Sequence, residues 1–331
     1  MIQLLVFFLI FNFLIFLNLD KLSIIININD KPDGKLKKHK STVPLLGGTI
    51  FLINFLILIL ISLFFGESVF LLSFNNRELF SILFFILFFY LIGLYDDKFK
   101  LKPEKKFILG ILICIVSLSI NKNIVINSIS TTFYDHTIFL NNFKFIFTIF
   151  CITILINALN FYDGINGQSL IFFIIIYSFL AYKSSLTIFY IYIIFTLLFL
   201  LLLNLKNKIF LGDNGIYLIG TILILSIIYE HNIFKSIVFV DEIFFLLILP
   251  GYDLVRLTST RIFKGKNAFY GDRNHIHHLL IDKFSLLISN IILLLYILTP
   301  IVFFSFFNLN FYLVLFIFTI SYIILINKLS K

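Results

Sequence analysis

The chain has 331 residues, 60% of them hydrophobic and only 13% charged, and its mean hydropathy is +1.08. A soluble protein of this length needs far more charge to cover its surface, so the soluble two-domain reading that length alone suggests is excluded. The formal charge of +9 is therefore read against a bilayer, and no nucleic-acid partner is expected. Cys114 and Cys151 both lie inside apolar runs and offer neither a disulfide framework nor metal spacing.

Apolar segments fall at 2–18, 44–65, 79–95, 107–120, 143–160, 169–182, 186–204, 214–230, 236–256, 285–304 and 309–327. Runs of roughly 18 or more apolar residues match a ~30 Å hydrocarbon core. The expectation is an all-α integral membrane protein of about eleven transmembrane helices, forming one polytopic domain over 1–331. The first segment lacks a basic leading region and a small-residue cleavage site, so a removable signal peptide is not expected. Residues 121–142 alternate β-branched residues around a polar turn, which predicts a small periplasmic hairpin. Pro250-Gly251 is expected to break or kink the ninth span.

With eleven spans, 21 of the 26 basic residues fall on one side of the bilayer. These include Lys35, Lys37, Lys38, Lys40, Lys98, Lys100, Lys106 and the group Arg256 to Lys283, while Arg77, Lys122, Lys144, Lys183 and Lys235 face the other. The positive-inside rule then places the N-terminus outside, the C-terminus inside, and the active site on the cytoplasmic face of a multi-pass inner-membrane protein.

Four polar clusters lie on that face. Asp96-Asp97 in "GLYDDKFKLKPEKK" sits at the mouth of a span, where acids are costly; the plain alternative is a solvated pair balancing the lysines that follow. Asn157, Asn160 and Asp163 recur every three residues in "NALNFYDGINGQS", one face of a continuing helix, with Gly164 and Gly167 for a tight turn; helix capping is the alternative. Asp213 opens a span in "FLGDNG", where it caps the helix or holds a divalent cation against phosphates. The stretch "PGYDLVRLTSTRIFKGKNAFYGDRNHIHH" carries Asp253, Arg256, Arg261, Asp272, Arg273, His275, His277 and His278, a set suited to oligophosphate more than to zinc. Together the clusters form a parts list for phosphoryl transfer.

With "DKPDGKLKKHKSTVPLLGG" in the first cytoplasmic loop, these motifs stand in the order found in a known family. Over residues 30–285 the chain resembles the polyprenyl-phosphate N-acetylhexosamine-1-phosphate transferases, phosphoglycosyltransferases of glycosyltransferase family 4. The histidine pattern resembles the branch using UDP-N-acetylglucosamine or related UDP-HexNAc donors. The resemblance implies a UDP-sugar donor, a polyprenyl (undecaprenyl) phosphate acceptor in the bilayer, release of UMP, and Mg²⁺, with Mn²⁺ as a substitute. It makes Asp213 the metal ligand, gives Asp97 or Asp96 to the metal or to positioning the acceptor, with base character, and puts Asn160 and Asp163 in the catalytic pocket; a covalent route through an Asp stays open. It sets Gly164, Asn166, Asn204 and Phe210 around the base, and His275, His277, His278 and Arg273 on the diphosphate or sugar. A homodimer stays open. Lys100 stands where the family often has a third acid, Asn166 where Asp is common, and Ala268 where Pro is frequent; "INGQS" lacks the usual Leu after the second glycine. The alternatives are a phospho-N-acetylmuramoyl-pentapeptide transferase, a membrane transporter, and a degenerate member with a structural role.

Overall fold

The computed structural model describes residues 2–32, 41–65, 75–267 and 273–330. Lys35, Lys37, Lys38, Lys40, Ala268 and Asp272 lie outside these described residues. Each of the eleven apolar segments falls on a helix: α1 (Ile2–Leu17), α3 (Gly47–Phe65), α4 (Asn76–Phe99), α5 (Pro103–Ile120), α6 (Lys144–Tyr162), α7 (Gln168–Lys183), α8 (Thr187–Leu205), α9 (Gly212–Asn232), α10 (Val240–Phe263), α12 (Leu286–Ile301) and α13 (Phe311–Leu329). Short helices α2 (Leu19–Ile26) and α11 (Ile276–Ile281) lie between them. By length and composition seven helices among the described residues can cross a bilayer, or up to eight if α1 and α2, bent by 67°, count as one span. That is fewer than the eleven expected: α7 has 16 residues, and α5 opens on Glu104, Lys105 and Lys106.

The bundle is built around α9, of whose apolar window 89% is buried. Gly215, Gly220, Thr221 and Ser226 keep its girth small, so neighbouring helices pack by close backbone approach. At Gly93 of α4, a Cβ would come 2.5 Å from the Asp213 carbonyl; at Gly48 of α3, one would meet the Gly215 backbone. The first N–H groups of α3, which have no partner within their own helix, bond instead to the loop before α9: Gly47 to the Phe210 carbonyl at 3.0 Å and Gly48 to that of Leu211 at 3.2 Å. At the periphery, Asn12 of α1 and Asn54 of α3 exchange two 3.0 Å amide bonds, which fixes the register of helices otherwise held by apolar packing.

The expected hairpin is present: β3 (Ser128–Thr131) pairs antiparallel with β4 (Tyr134–Phe139). A second antiparallel pair, β1 (Asn29–Asp30) with β2 (Val43–Pro44), brackets the first polar loop. Pro250 does not break α10, which runs on to Phe263 and carries Arg261 beyond the apolar stretch. A proline removes a single N–H, and a helix packed among others tolerates it.

Candidate active site

A polar cleft of about 620 Å³ opens where α4, α6, α8 and α9 have their chain ends. Asp97, Asp163, Gly164, Asn166, Asn204, Phe210, Asp213, Arg273 and His278 all line it, so nine of the thirteen residues that the resemblance points to converge on one cavity. Asp30 of β1 and Lys100 line it as well.

The acids are not equivalent. Both oxygens of Asp97 are committed to the start of α9. Oδ1 accepts from the Asp213 N–H at 3.0 Å, and Oδ2 accepts from the Asn214 N–H at 3.0 Å and its Nδ2 at 2.6 Å. The carboxylate thus caps a helix that lacks its own capping side chain and sits at the positive end of that helix's dipole. Asp96 accepts from the Leu101 N–H at 2.6 Å and from Lys106 Nζ at 2.5 Å. Lys106 reaches on to Asp213 Oδ2 at 2.9 Å, so one ammonium bridges two acids from different helices. Lys100, at the site of the family's third acid, is the left-handed C-cap of α4 (φ 56°), its N–H on the Asp96 carbonyl.

Helix α6 ends at Tyr162, so Asp163 is its C-cap and not part of its face. Ser169 at the start of α7 donates to Asp163 Oδ1 at 2.6 Å. Desolvation pushes the Asp163 carboxyl up to about 6; the Ser169 bond opposes this and the Asp213 charge adds to it. Asn160 is half-buried one turn back, outside the cleft lining. Asn157 turns to its own helix and bonds the Thr153 carbonyl at 2.7 Å.

Four asparagines tie the 163–167 turn to its surroundings. Asn204 Oδ1 accepts from the Gly167 N–H at 2.6 Å, Asn166 Nδ2 donates to Asn207 Oδ1 at 2.6 Å, and Asn290 Nδ2 donates to the Asn166 carbonyl at 2.9 Å. Gly167 takes φ +85°, a left-handed value that favours glycine. Gly164 runs directly over the His277 ring, where a Cβ would overlap Nε2. His277 is therefore buried beneath the turn, beside Gln168 Nε2 at 3.3 Å, and does not line the cleft. Burial and the neighbouring His278 and His275 hold His277 well below the usual histidine range; burial and Arg273 push His278 down to about 4. Both imidazoles are thus neutral near pH 7 and offer hydrogen bonds, while Arg273, 3.2 Å from Asp282, brings the fixed positive charge.

His275 also stands behind the cleft. Its Nδ1 lies 2.9 Å from Asp253 Oδ2, and Asp253 further accepts from Arg256 at 2.6 Å and from the Ile276 N–H and Tyr322 hydroxyl at 3.2 Å. Buried Asp253 thereby fastens the His-x-His-His turn to α10 and α13. Sequence reasoning missed Lys106, Ser169, Asn207 and Asn290 as site residues. Ser169 stands six residues after Asp163, but nothing local marks the other three.

Among the described residues, no three His, Cys, Asp or Glu side chains form a ready-made metal cage. Magnesium needs only one or two carboxylates when substrate phosphates and water complete its shell. The Asp213 side chain, 28% exposed in the cleft and already holding the Lys106 ammonium, fits that requirement.

The glycosyl transferase family 4 model matches residues 79–231. The undecaprenyl-phosphate alpha-N-acetylglucosaminyl 1-phosphate transferase of Salmonella typhi is 30% identical over 271 residues, 78% of this chain and 70% of the relative. The protein of the same name from Yersinia pestis is 27% identical over 277 residues, 78% and 71% of the two chains. The phospho-N-acetylmuramoyl-pentapeptide-transferase of Staphylococcus saprophyticus is 30% identical over 257 residues, 70% and 76%. On the strength of these similarities, the chain belongs to glycosyl transferase family 4, among the polyprenyl-phosphate N-acetylhexosamine-1-phosphate transferases.

Proposed function

We propose that this protein transfers a HexNAc-1-phosphate, GlcNAc-1-phosphate before others, from a UDP-sugar to undecaprenyl phosphate and releases UMP, the first step of a cell-surface glycan. The observation that carries this reading is the convergence of Asp97, Asp163, Asp213, Arg273 and His278 on one cleft in a chain 30% identical to a transferase of that name. A lipid phosphate oxygen attacks the β-phosphorus, and the bond to UMP breaks. A phosphate monoester has a second pKa near ~6, so the acceptor is largely ionised at neutral pH and little base catalysis is needed. The greater task is to bring two anions together. Arg273 would receive the diphosphate with hydrogen bonds from His278, while the tethered 163–167 turn and Phe210 hold the nucleotide. Asp213, in the cleft that Asp163 also lines, would hold Mg²⁺, which would supply positive charge against the phosphates. Asp97 serves this arrangement by fixing the start of α9, and with both oxygens engaged it is poorly placed as a covalent nucleophile.

An apolar groove of about 990 Å³ between α6, α9, α10 and α13 suits the polyprenyl tail. At its polar end Arg256 donates to the Asn274 carbonyl, one residue before His275, so a lipid lying there has its head toward the histidine turn. Eleven crossings with the cleft on the cytoplasmic face of the inner membrane would put the water-soluble donor and the lipid phosphate at the same boundary. In detergent with undecaprenyl phosphate, UDP-GlcNAc should yield UMP and a lipid of the mass of its GlcNAc-diphosphate adduct, and Asp213→Ala or Asp97→Asn should abolish both. Full activity in both variants would overturn the site. Product from UDP-MurNAc-pentapeptide alone would move the protein to the other branch.

A further inference from the structure

Lys106 stands outside the motif residues assigned a role from sequence, yet it occupies the centre of the acid cluster. Its side chain is 15% exposed, and its ammonium lies between Asp96 Oδ2 and Asp213 Oδ2. The three acids differ in what they can release. Asp97 cannot turn without uncapping α9. Asp96 is tied through its other oxygen to the Leu101 N–H and is 6% exposed. Asp213 is the most open of the three and its carboxylate lines the cleft. An ammonium and a dication sharing one carboxylate repel strongly at this range, whereas an unpaired carboxylate pair would be left costly if neither were there.

We propose that Lys106 is a built-in counter-cation of the metal position: without a divalent ion its ammonium bridges Asp96 and Asp213, and metal binding displaces it from Asp213 while Asp96 retains it. This rests on the reading that Asp213 holds the metal. The exchange has a physical purpose. It keeps two close carboxylates compensated in the empty enzyme, so the start of α9 holds its place before metal and substrate arrive, and it sets metal affinity lower than the acids alone would give.

Mn²⁺ is the probe, titrated into the detergent-solubilised full chain without substrates, with free ion measured by electron paramagnetic resonance. Wild type should bind saturably and Asp213→Asn should lose that site. Lys106→Met should bind about tenfold tighter or more, while Lys100→Met, which removes a cleft charge that forms no ion pair among the described residues, should gain less than about threefold. In wild type, acylation of the Lys106 amine by a water-soluble reagent, read by mass spectrometry, should rise when Mn²⁺ is added. Tightening that is absent in Lys106→Met, or equal in the two lysine variants, overturns the exchange and leaves the metal reading standing. Acylation unchanged or lowered by Mn²⁺ overturns it also, even if Lys106→Met does not fold. A wild type that binds no Mn²⁺ removes the metal reading itself, and the exchange with it.

Discussion

At Asp163 a carboxyl pushed up to about 6 by burial makes both stability and chemistry pH-dependent near neutrality. Its folded pKa lies above the ordinary carboxylate range, so folding favours the neutral acid. That contribution to stability is full below the unfolded value and is lost as pH rises through about 6. In the proposed reaction the ionised form would be the working one, so UMP release should show an acid limb near that pH. Ser169→Ala removes a hydrogen bond to the ionised form and should raise the limb by about one unit; a limb that stays put belongs to another group. His278, which lines the same cleft and is pushed down to about 4, carries no charge to lose between pH 6 and 8. Arg273→Gln should therefore raise KM for the UDP-sugar about tenfold or more and flatten its salt dependence, whereas His278→Gln should leave the salt dependence unchanged. The acids themselves were visible in the sequence as residues. Their division of labour was not, because a helix cap and a metal ligand are both simply Asp.

Among the helices, α9 governs the site because α3 and α4 approach its first turn closely through Gly48 and Gly93. In Gly93→Ala the new Cβ would meet the Asp213 and Asn214 backbone, which cannot yield as a side chain can, so α4 must move and take Asp97 with it. The cost is expected at about 1–3 kcal/mol, seen as a lower Tm in detergent, together with a large loss of turnover. Gly110→Ala on the neighbouring α5 meets only the Phe89 ring at 3.5 Å and should leave both nearly unchanged. Equal effects in the two variants would show that close approach at α9 is not what matters. Helix existence was legible from apolar runs, but some ends were not. Helix α10 outruns its apolar segment to Phe263, and Asp163 falls just past α6, since caps and final turns depend on partners elsewhere in the chain.

For the whole molecule, the orientation proposed from the lysines and arginines can be tested without any substrate. Lys266→Cys, exposed after α10, should resist an impermeant thiol reagent on intact cells, and Asp135→Cys in the exposed hairpin should react; the reverse pattern would invert the topology. Native Cys114 is buried and Cys151 lies within α6, so the background should be low. The membrane class and the helical segments were determined by the sequence alone, because a hydrocarbon core imposes its thickness on any stretch that crosses it and so writes a local, compositional signal. Which helix becomes the buried centre was not, since α9 reads as one more apolar segment and only packing shows that its neighbours enclose it. The same holds for the chemistry. Asp97 and Asp213 are 116 residues apart, and Lys106 and Asp213 are 107 apart. Local patterning cannot encode a charge partnership over such separations; the tertiary fold decided which acid caps a helix, which lines the cleft, and which shares its lysine.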